Sequence, residues 1–290
     1  MSNFIEKLRF TYDILYDATV GFVHDDGATH AAAVSYYVFL SIIPIVVLAV
    51  SIFSYFFGNT ADAYNWVLKQ VTAFSPDVVT KYEGFLRAIT NEIINVRGTA
   101  LGFGIVSLLW IGMNTICALE NTINVVWKIN CGRNFFQRRF VSLILITLIG
   151  ILLYSTTLIS TLINTKVSND FYLLNLFNIN VSNLWSVTTH IFSFIVYFLA
   201  FMMIYGILPR VKVIYKSLFY SSFFGAVTWT LAKILFSWFV VNISQYSKIY
   251  GSIAGIMIFM IWLYFSVAII IYCAELGYSI SLRIKHGYDD

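Results

Sequence analysis

The sequence predicts an all-α fold: a polytopic membrane helix bundle of about six transmembrane helices, with an N-terminal interfacial helix and an amphipathic extracytoplasmic helical loop. Only 11% of the residues are charged, while 59% are hydrophobic and 18% aromatic. A soluble domain carries about 25% charged residues, and a water-facing surface cannot be assembled from so few. Six segments are long enough to cross the hydrocarbon core, which takes about 20 apolar residues in a helix. Helix is the form they must take, because lipid offers no partners for unpaired backbone groups. The segments are 33–57, 99–127, 140–163, 184–208, 217–241 and 253–280, and their only charged residues are Glu120, Lys233 and Glu275.

Residues 1–32 read as an N-terminal cytoplasmic segment. No uninterrupted apolar run precedes Asp25-Asp26, so a cleavable signal peptide is not expected and the first span serves as the targeting signal. Phe4, Leu8, Tyr12, Leu15, Thr19 and Phe22 fall near one helical face, with Glu6, Lys7, Asp13 and Asp17 off it. That pattern suits a helix lying on the cytoplasmic interface or, equally, one packed against the bundle. In the first span Pro44 removes one backbone hydrogen bond and is expected to bend the helix, freeing a carbonyl near residue 40. The long loop 58–98 contains Ser75-Pro76-Asp77, an N-cap followed by a first-turn proline and an acid. Val78, Tyr82, Phe85, Ile89 and Ile93 then repeat at helical spacing, after a shorter helix around Trp66, Leu68 and Val71. Gly98, Gly102 and Gly104 open the second span and allow close packing there. The six spans form one membrane domain over 33–280, and 281–290 form a short tail.

Charge sets the expected orientation. With an even number of spans and the N-terminus inside, 11 basic residues fall on the inside and 6 on the outside. The two short inside connections hold Lys128, Arg133, Arg138, Arg139, Arg210, Lys212 and Lys216 without an acid. The positive-inside rule therefore places both termini in the cytoplasm.

Soluble-enzyme chemistry finds little to stand on. The four histidines at 24, 30, 190 and 286 are scattered, and no H-E-x-x-H, G-x-S-x-G, P-loop or G-x-G-x-x-G is present. His24 and His30 flank Asp25-Asp26, but Asp26-Gly27 reads more simply as a helix start. Cys117, Cys131 and Cys273 are odd in number and lack metal-ligand spacing. No enzyme activity, metal, cofactor or nucleic-acid partner is expected. Membrane lipids are, and a second copy or other envelope proteins remain open as partners.

The intramembrane charges are the candidates for function, because a charge inside the bilayer is costly and generally faces protein or water. At 1.5 Å per residue, Glu120 lies roughly 10 Å deep from the cytoplasmic end, Glu275 roughly 8 Å and Lys233 roughly 24 Å. Glu120 and Glu275 are thus level, while Lys233 belongs to the outer half and can snorkel to the outer headgroups. Asn114, Asn121 and Asn124 share the span of Glu120, with Asn124 one turn away, and such amides hydrogen-bond across helices in lipid. Two level acids require a shared proton or a neighbouring cation. Arg138, Arg139, Arg210 and Lys212 stand on the same side, at the level of the inner headgroups.

Several stretches resemble the YihY/BrkB family of bacterial inner-membrane proteins. They are Ala31-Ala-Ala-Val-Ser-Tyr-Tyr-Val-Phe-Leu-Ser-Ile-Ile-Pro44, Ala118-Leu-Glu-Asn-Thr-Ile-Asn-Val-Val-Trp127 and Tyr250-Gly-Ser-Ile-Ala254. Trp262-Leu-Tyr264 and Ala274-Glu-Leu276 follow, with Gly225-Ala226 and Trp229 between. The resemblance implies about six spans and covers nearly the whole chain. Members have carried the labels virulence factor and ribonuclease BN, and some are linked to lipid or lipopolysaccharide export. A metal nuclease needs a cluster of ligands that this sequence lacks, so the nuclease label finds no support in the residues. The expected function is transport or flipping of an amphipathic lipid. A non-transporting scaffold or lipid-binding protein is the alternative, and a small-solute or ion transporter the third.

Overall fold

The computed structural model describes residues 2–57, 97–129, 133–152, 155, 181–243 and 253–285. Seven helices account for nearly all of them: α1 Ser2–His24, α2 Gly27–Phe57, α3 Arg97–Val126, α4 Phe135–Leu152, α5 Val181–Ile207, α6 Tyr215–Ile243 and α7 Ile253–Lys285. Each of α2 to α7 coincides with one expected span. Among the described residues four stretches are long and apolar enough to cross a membrane: Gly102–Val126, Phe135–Leu152, Tyr215–Val240 and Gly255–Lys285. Ile191–Ile207 is a shorter apolar stretch. The protein is a multi-pass helical membrane protein. The helices expected around Trp66 and over 78–93 fall outside the described residues, as do Cys131 and the end of the tail.

At its C-terminal half α7 is the hub, touching α1, α2, α3 and α6. Burial there brings together Leu119 and Ile123 of α3, Phe201 and Tyr205 of α5, Ala226 of α6 and Ile271 of α7. Lipid tails are as apolar as these side chains, so close approach of backbones and interhelical hydrogen bonds must supply the attraction. The α6–α7 seam does this with small residues: Ser217 Oγ donates to the Gly277 carbonyl, and a Cβ on Gly277 would sit 3.1 Å from Ser221. Gly225 of α6 lies under the Phe201 ring, 2.9 Å from where its Cβ would be. Tyr205 adds a hydrogen bond from its hydroxyl to the Ile270 carbonyl at 2.9 Å.

Of the two placements open to the N-terminal helix, packing on the bundle is the one observed. Ile14 and Ala18 of α1 are buried against Leu276 and Ile280 of α7, while Tyr12, expected on the apolar face, is exposed. The buried face is centred on Ile14 and Ala18, where α1 seats against α7. Asp13 and Asp17 stay off that face, as the periodicity predicts, at 43% and 47% exposure, and there Arg283 pairs with Asp17 and approaches Asp13.

α4 begins at Phe135, five residues before the expected start at Phe140, so Arg138 and Arg139 lie on its first turns rather than in a loop. α2 is continuous through Pro44, which is buried, and the Leu40 carbonyl goes without the amide proton a non-proline residue would have supplied. Among the described residues two non-glycine residues adopt positive φ, Asp26 at 51° and Lys128 at 54°. They end α1 and α3, where left-handed residues commonly close a helix.

Candidate functional site

The charge that the second span carries is answered by two guanidiniums. Glu120 of α3 is only 2% exposed. Its Oε1 accepts from Arg133 Nη1 at 3.0 Å, and its Oε2 lies 3.5 Å from Arg138 Nε. Arg133 sits in the α3–α4 connection and reaches across to the C-terminus of α5. There it donates to the carbonyls of Ile207 (2.8 Å) and Leu208 (3.3 Å). Those carbonyls are among the last four of a helix and lack intrahelical partners, so a cation at this end satisfies them and the helix dipole together. Arg138, from the first turns of α4, also donates to the Cys117 carbonyl. The carboxylate thus clasps α3, α4 and α5 at one end of the bundle.

Beside this clasp lies a cavity of about 250 Å³. α2 contributes Tyr37, α3 contributes Asn114, Cys117, Ala118 and Asn121, and α4 contributes Phe135, Arg138 and Arg139. The spacing on α3 is that of one helical face, i, i+3, i+4 and i+7. Arg139 Nη1 donates to Asn114 Oδ1 at 2.8 Å. Its guanidinium lies 5.2 Å from the Trp110 ring centroid and 5.3 Å from that of Phe135, a cation–π geometry. Arg138 is the link, lining the cavity while pairing with Glu120. The α3 face continues past Asn114 as Trp110, Val106 and Phe103, exposed to 60%, 68% and 72%. One helix face therefore joins a polar, basic pocket to a stripe of exposed apolar side chains.

Other expected site residues stand elsewhere. Glu275, also 2% exposed, does not pair with Glu120; the two acids turn to different neighbours. Glu275 faces α1, where a Cβ on Gly21 would fall 2.6 Å from its Oε2, and its carboxyl confronts Asp25 with Lys128 beside them. Lys128 pairs with Asp25 and ties the α1–α2 turn to the end of α3. Burial raises the Asp25 pKa, but hydrogen bonds from His24 and Lys128, with the Lys128 charge, outweigh it and hold the carboxyl below its ordinary value of 3.8. Asn124 is buried one turn beyond Glu120, and its Oδ1 has no hydrogen-bond partner among the described residues. Lys233 is exposed and donates to the Tyr197 hydroxyl at 3.3 Å, apart from both acids. Arg210 and Lys212 are exposed on the connection between α5 and α6 and do not line the cavity.

Sequence reasoning missed Arg133 and Tyr37. Arg133 was legible only as one of several loop bases, since nothing local shows that it reaches α5. Tyr37 lies in the Ser-Tyr-Tyr run, which was noticed without a role. Among the described residues no group of three or more His, Cys, Asp or Glu is placed to hold a metal ion.

Comparison with known proteins places the chain. It is 26% identical over 271 residues to the ribonuclease-like protein YfkH of Bacillus subtilis, covering 90% of this chain and 92% of that one. A UPF0761 membrane protein of Aggregatibacter aphrophilus is 27% identical over 255 residues, covering 85% of this chain and 84% of its own length. A UPF0761 membrane protein of Psychrobacter is 25% identical over 290 residues, and there the match spans 97% of this chain but 52% of the relative. No solved structure matches. A family model described as virulence factor BrkB matches residues 18–290, and the chain therefore belongs to the BrkB family of membrane proteins.

Proposed function

We propose that this protein binds an amphipathic lipid and moves it across the cytoplasmic membrane, with the headgroup in the cavity between α2, α3 and α4. The observation that carries the reading is the single α3 face on which Asn114, Cys117 and Asn121 line a polar pocket while Trp110, Val106 and Phe103 continue outward as exposed apolar surface. A ligand with a polar head and an apolar tail matches both halves, whereas a small polar solute matches one. Polar residues inside a membrane protein have to meet protein, water or a polar ligand.

Arg138 and Arg139 line the pocket, and Arg133 joins Arg138 at Glu120 beside it. In the proposed orientation this side of the protein is cytoplasmic, with both termini inside, and the lipid enters from the inner leaflet. The protein is not a nuclease in this reading, and the ribonuclease-like name of the Bacillus subtilis relative is not carried over.

The test is reconstitution of the full chain into liposomes containing a headgroup-labelled lipid, with quenching from outside to follow exchange between leaflets. Accelerated exchange that depends on Asn114 and Asn121 supports the proposal. Exchange equal to that of protein-free liposomes, with saturable lipid binding retained, favours the second reading of a lipid-binding protein that does not transport. That alternative has its own support, because Glu120 is engaged in a clasp that joins three helices.

A further inference from the structure

We infer that the headgroup recognised at this cavity is a phosphate-type anion, a deepening that rests on the lipid reading above. The argument is one of charge. Two guanidiniums, Arg133 and Arg138, share the single carboxylate of Glu120, and Arg139, on the same cavity wall as Arg138, bonds the Asn114 amide and pairs with no acid among the described residues. Arg133 spends its remaining donors on the α5 carbonyls, and so is fixed in place. Arg138 and Arg139, both partly buried, line the cavity. Neutral groups hold Arg139: the Asn114 amide oxygen and two ring faces. That leaves an excess positive charge on the cavity wall, in a setting screened less than open water.

Two further features point to an anion. Arg138 Nε is buried without a hydrogen-bond acceptor, and Glu120 Oε2, at 3.5 Å, is likewise unsatisfied. The pair is too long to be a hydrogen bond, so this guanidinium retains unused donor capacity. Phe135, which lines the cavity, is also the first residue of the 18-residue helix α4. The positive end of its dipole is therefore at the cavity wall. Two arginines beside a helix N-terminus, with Asn121 as an additional neutral donor, present the fork geometry that phosphate oxygens accept. A carboxylate would satisfy fewer of these donors than a tetrahedral phosphate. A free phosphate and a phospholipid headgroup share this chemistry, and the apolar stripe of α3 is what separates them.

The experiment titrates the purified full-length protein with short-chain phosphatidylglycerol, a short-chain diacylglycerol that lacks the phosphate, and inorganic phosphate, reading binding by calorimetry at low and high salt. Phosphatidylglycerol is expected to bind saturably and to weaken with salt, with the diacylglycerol at least about tenfold weaker, as loss of one charge-assisted contact implies. R139Q is expected to weaken phosphatidylglycerol by about tenfold, and R139K to recover part of it, since the charge returns without the fork. Because Arg139 makes none of the clasp contacts, a folded variant is expected; an unchanged thermal midpoint for R139K serves as the control. Equal binding of both lipids, unaffected by R139Q, overturns the anion inference while leaving the lipid reading intact. Inorganic phosphate binding as tightly as phosphatidylglycerol, with no contribution from Trp110→Ala, keeps the anion site and overturns the lipid reading. No saturable binding of any probe overturns both.

Discussion

The Glu120 clasp makes a quantitative demand on the fold. Removing one partner of a buried ion pair costs about 3–5 kcal/mol when the other is left without compensation. Here the compensation is partial. Arg133 retains the Ile207 and Leu208 carbonyls and Arg138 the Cys117 carbonyl, and the two arginine side chains keep 16% and 26% exposure. Glu120→Gln also preserves an acceptor oxygen for Arg133. The loss expected for Glu120→Gln is therefore below that range, about 2–3 kcal/mol, and for Glu120→Ala it lies within it, about 3–5 kcal/mol. Arg133→Gln removes the same pair and uncaps α5 as well, so it is expected to cost at least as much as Glu120→Gln. The assay is reversible unfolding in mixed micelles of the two single variants and the double variant. Residues in direct contact show coupling of about 0.5–3 kcal/mol, and this pair belongs in the upper half of that interval. Additive effects within about 0.5 kcal/mol would refute the clasp and leave Glu120 to be explained by the cavity alone.

Asp25 predicts a pH dependence. Its folded pKa is held below the ordinary 3.8, so its contribution to stability is complete above the unfolded value and is lost as pH falls through the lowered folded value. Lys128→Gln is expected to reduce stability at neutral pH and to shrink the part of the acid-unfolding profile below about pH 4; an unchanged profile counts against the pair. At Gly21 a methyl group meets the Glu275 carboxylate at 2.6 Å. Gly21→Val is expected to lower stability by about 1–3 kcal/mol, and Glu275→Ala, by clearing the space, to restore part of it; no rescue would mean that α1 does not seat on α7 as described. In a cysteine-free background, a cysteine replacing the exposed Asn134 is expected to react with impermeant maleimide only from the cytoplasmic face. Labelling from outside would invert the proposed topology. Protein purified through two unrelated tags is expected to leave RNA intact with and without divalent metal, and cleavage abolished by a point substitution would overturn that expectation.

The membrane class and the positions of the spans were legible in the sequence because they depend on quantities that are local and additive. Twenty apolar residues in a row must become a helix in lipid, wherever the neighbours lie. Counting along the spans set Glu120 and Glu275 apart from Lys233, and among the described residues Lys233 bonds the Tyr197 hydroxyl and pairs with neither acid. The positions of the basic residues were equally plain. Which of them would face a given acid was not, since depth fixes one coordinate of three. Glu120 and Glu275 count to similar depths in the sequence, yet one turns toward Arg133 and Arg138 and the other toward Gly21 and Asp25.

Only the tertiary structure decided the rest. Arg133 is 13 residues from Glu120 and 75 from Leu208, and nothing local shows that one guanidinium joins them. The rotation of α1 could not be read from its own periodicity, because Leu276 and Ile280, the side chains that cover Ile14 and Ala18, lie at the far end of the chain. The cavity, too, exists only where Tyr37, Asn114 and Arg139 converge from three helices. Sequence alone determines what each segment can dissolve in, since that is a sum over its residues. The pairing of buried charges is set by helix azimuth and packing, which depend on every neighbour at once.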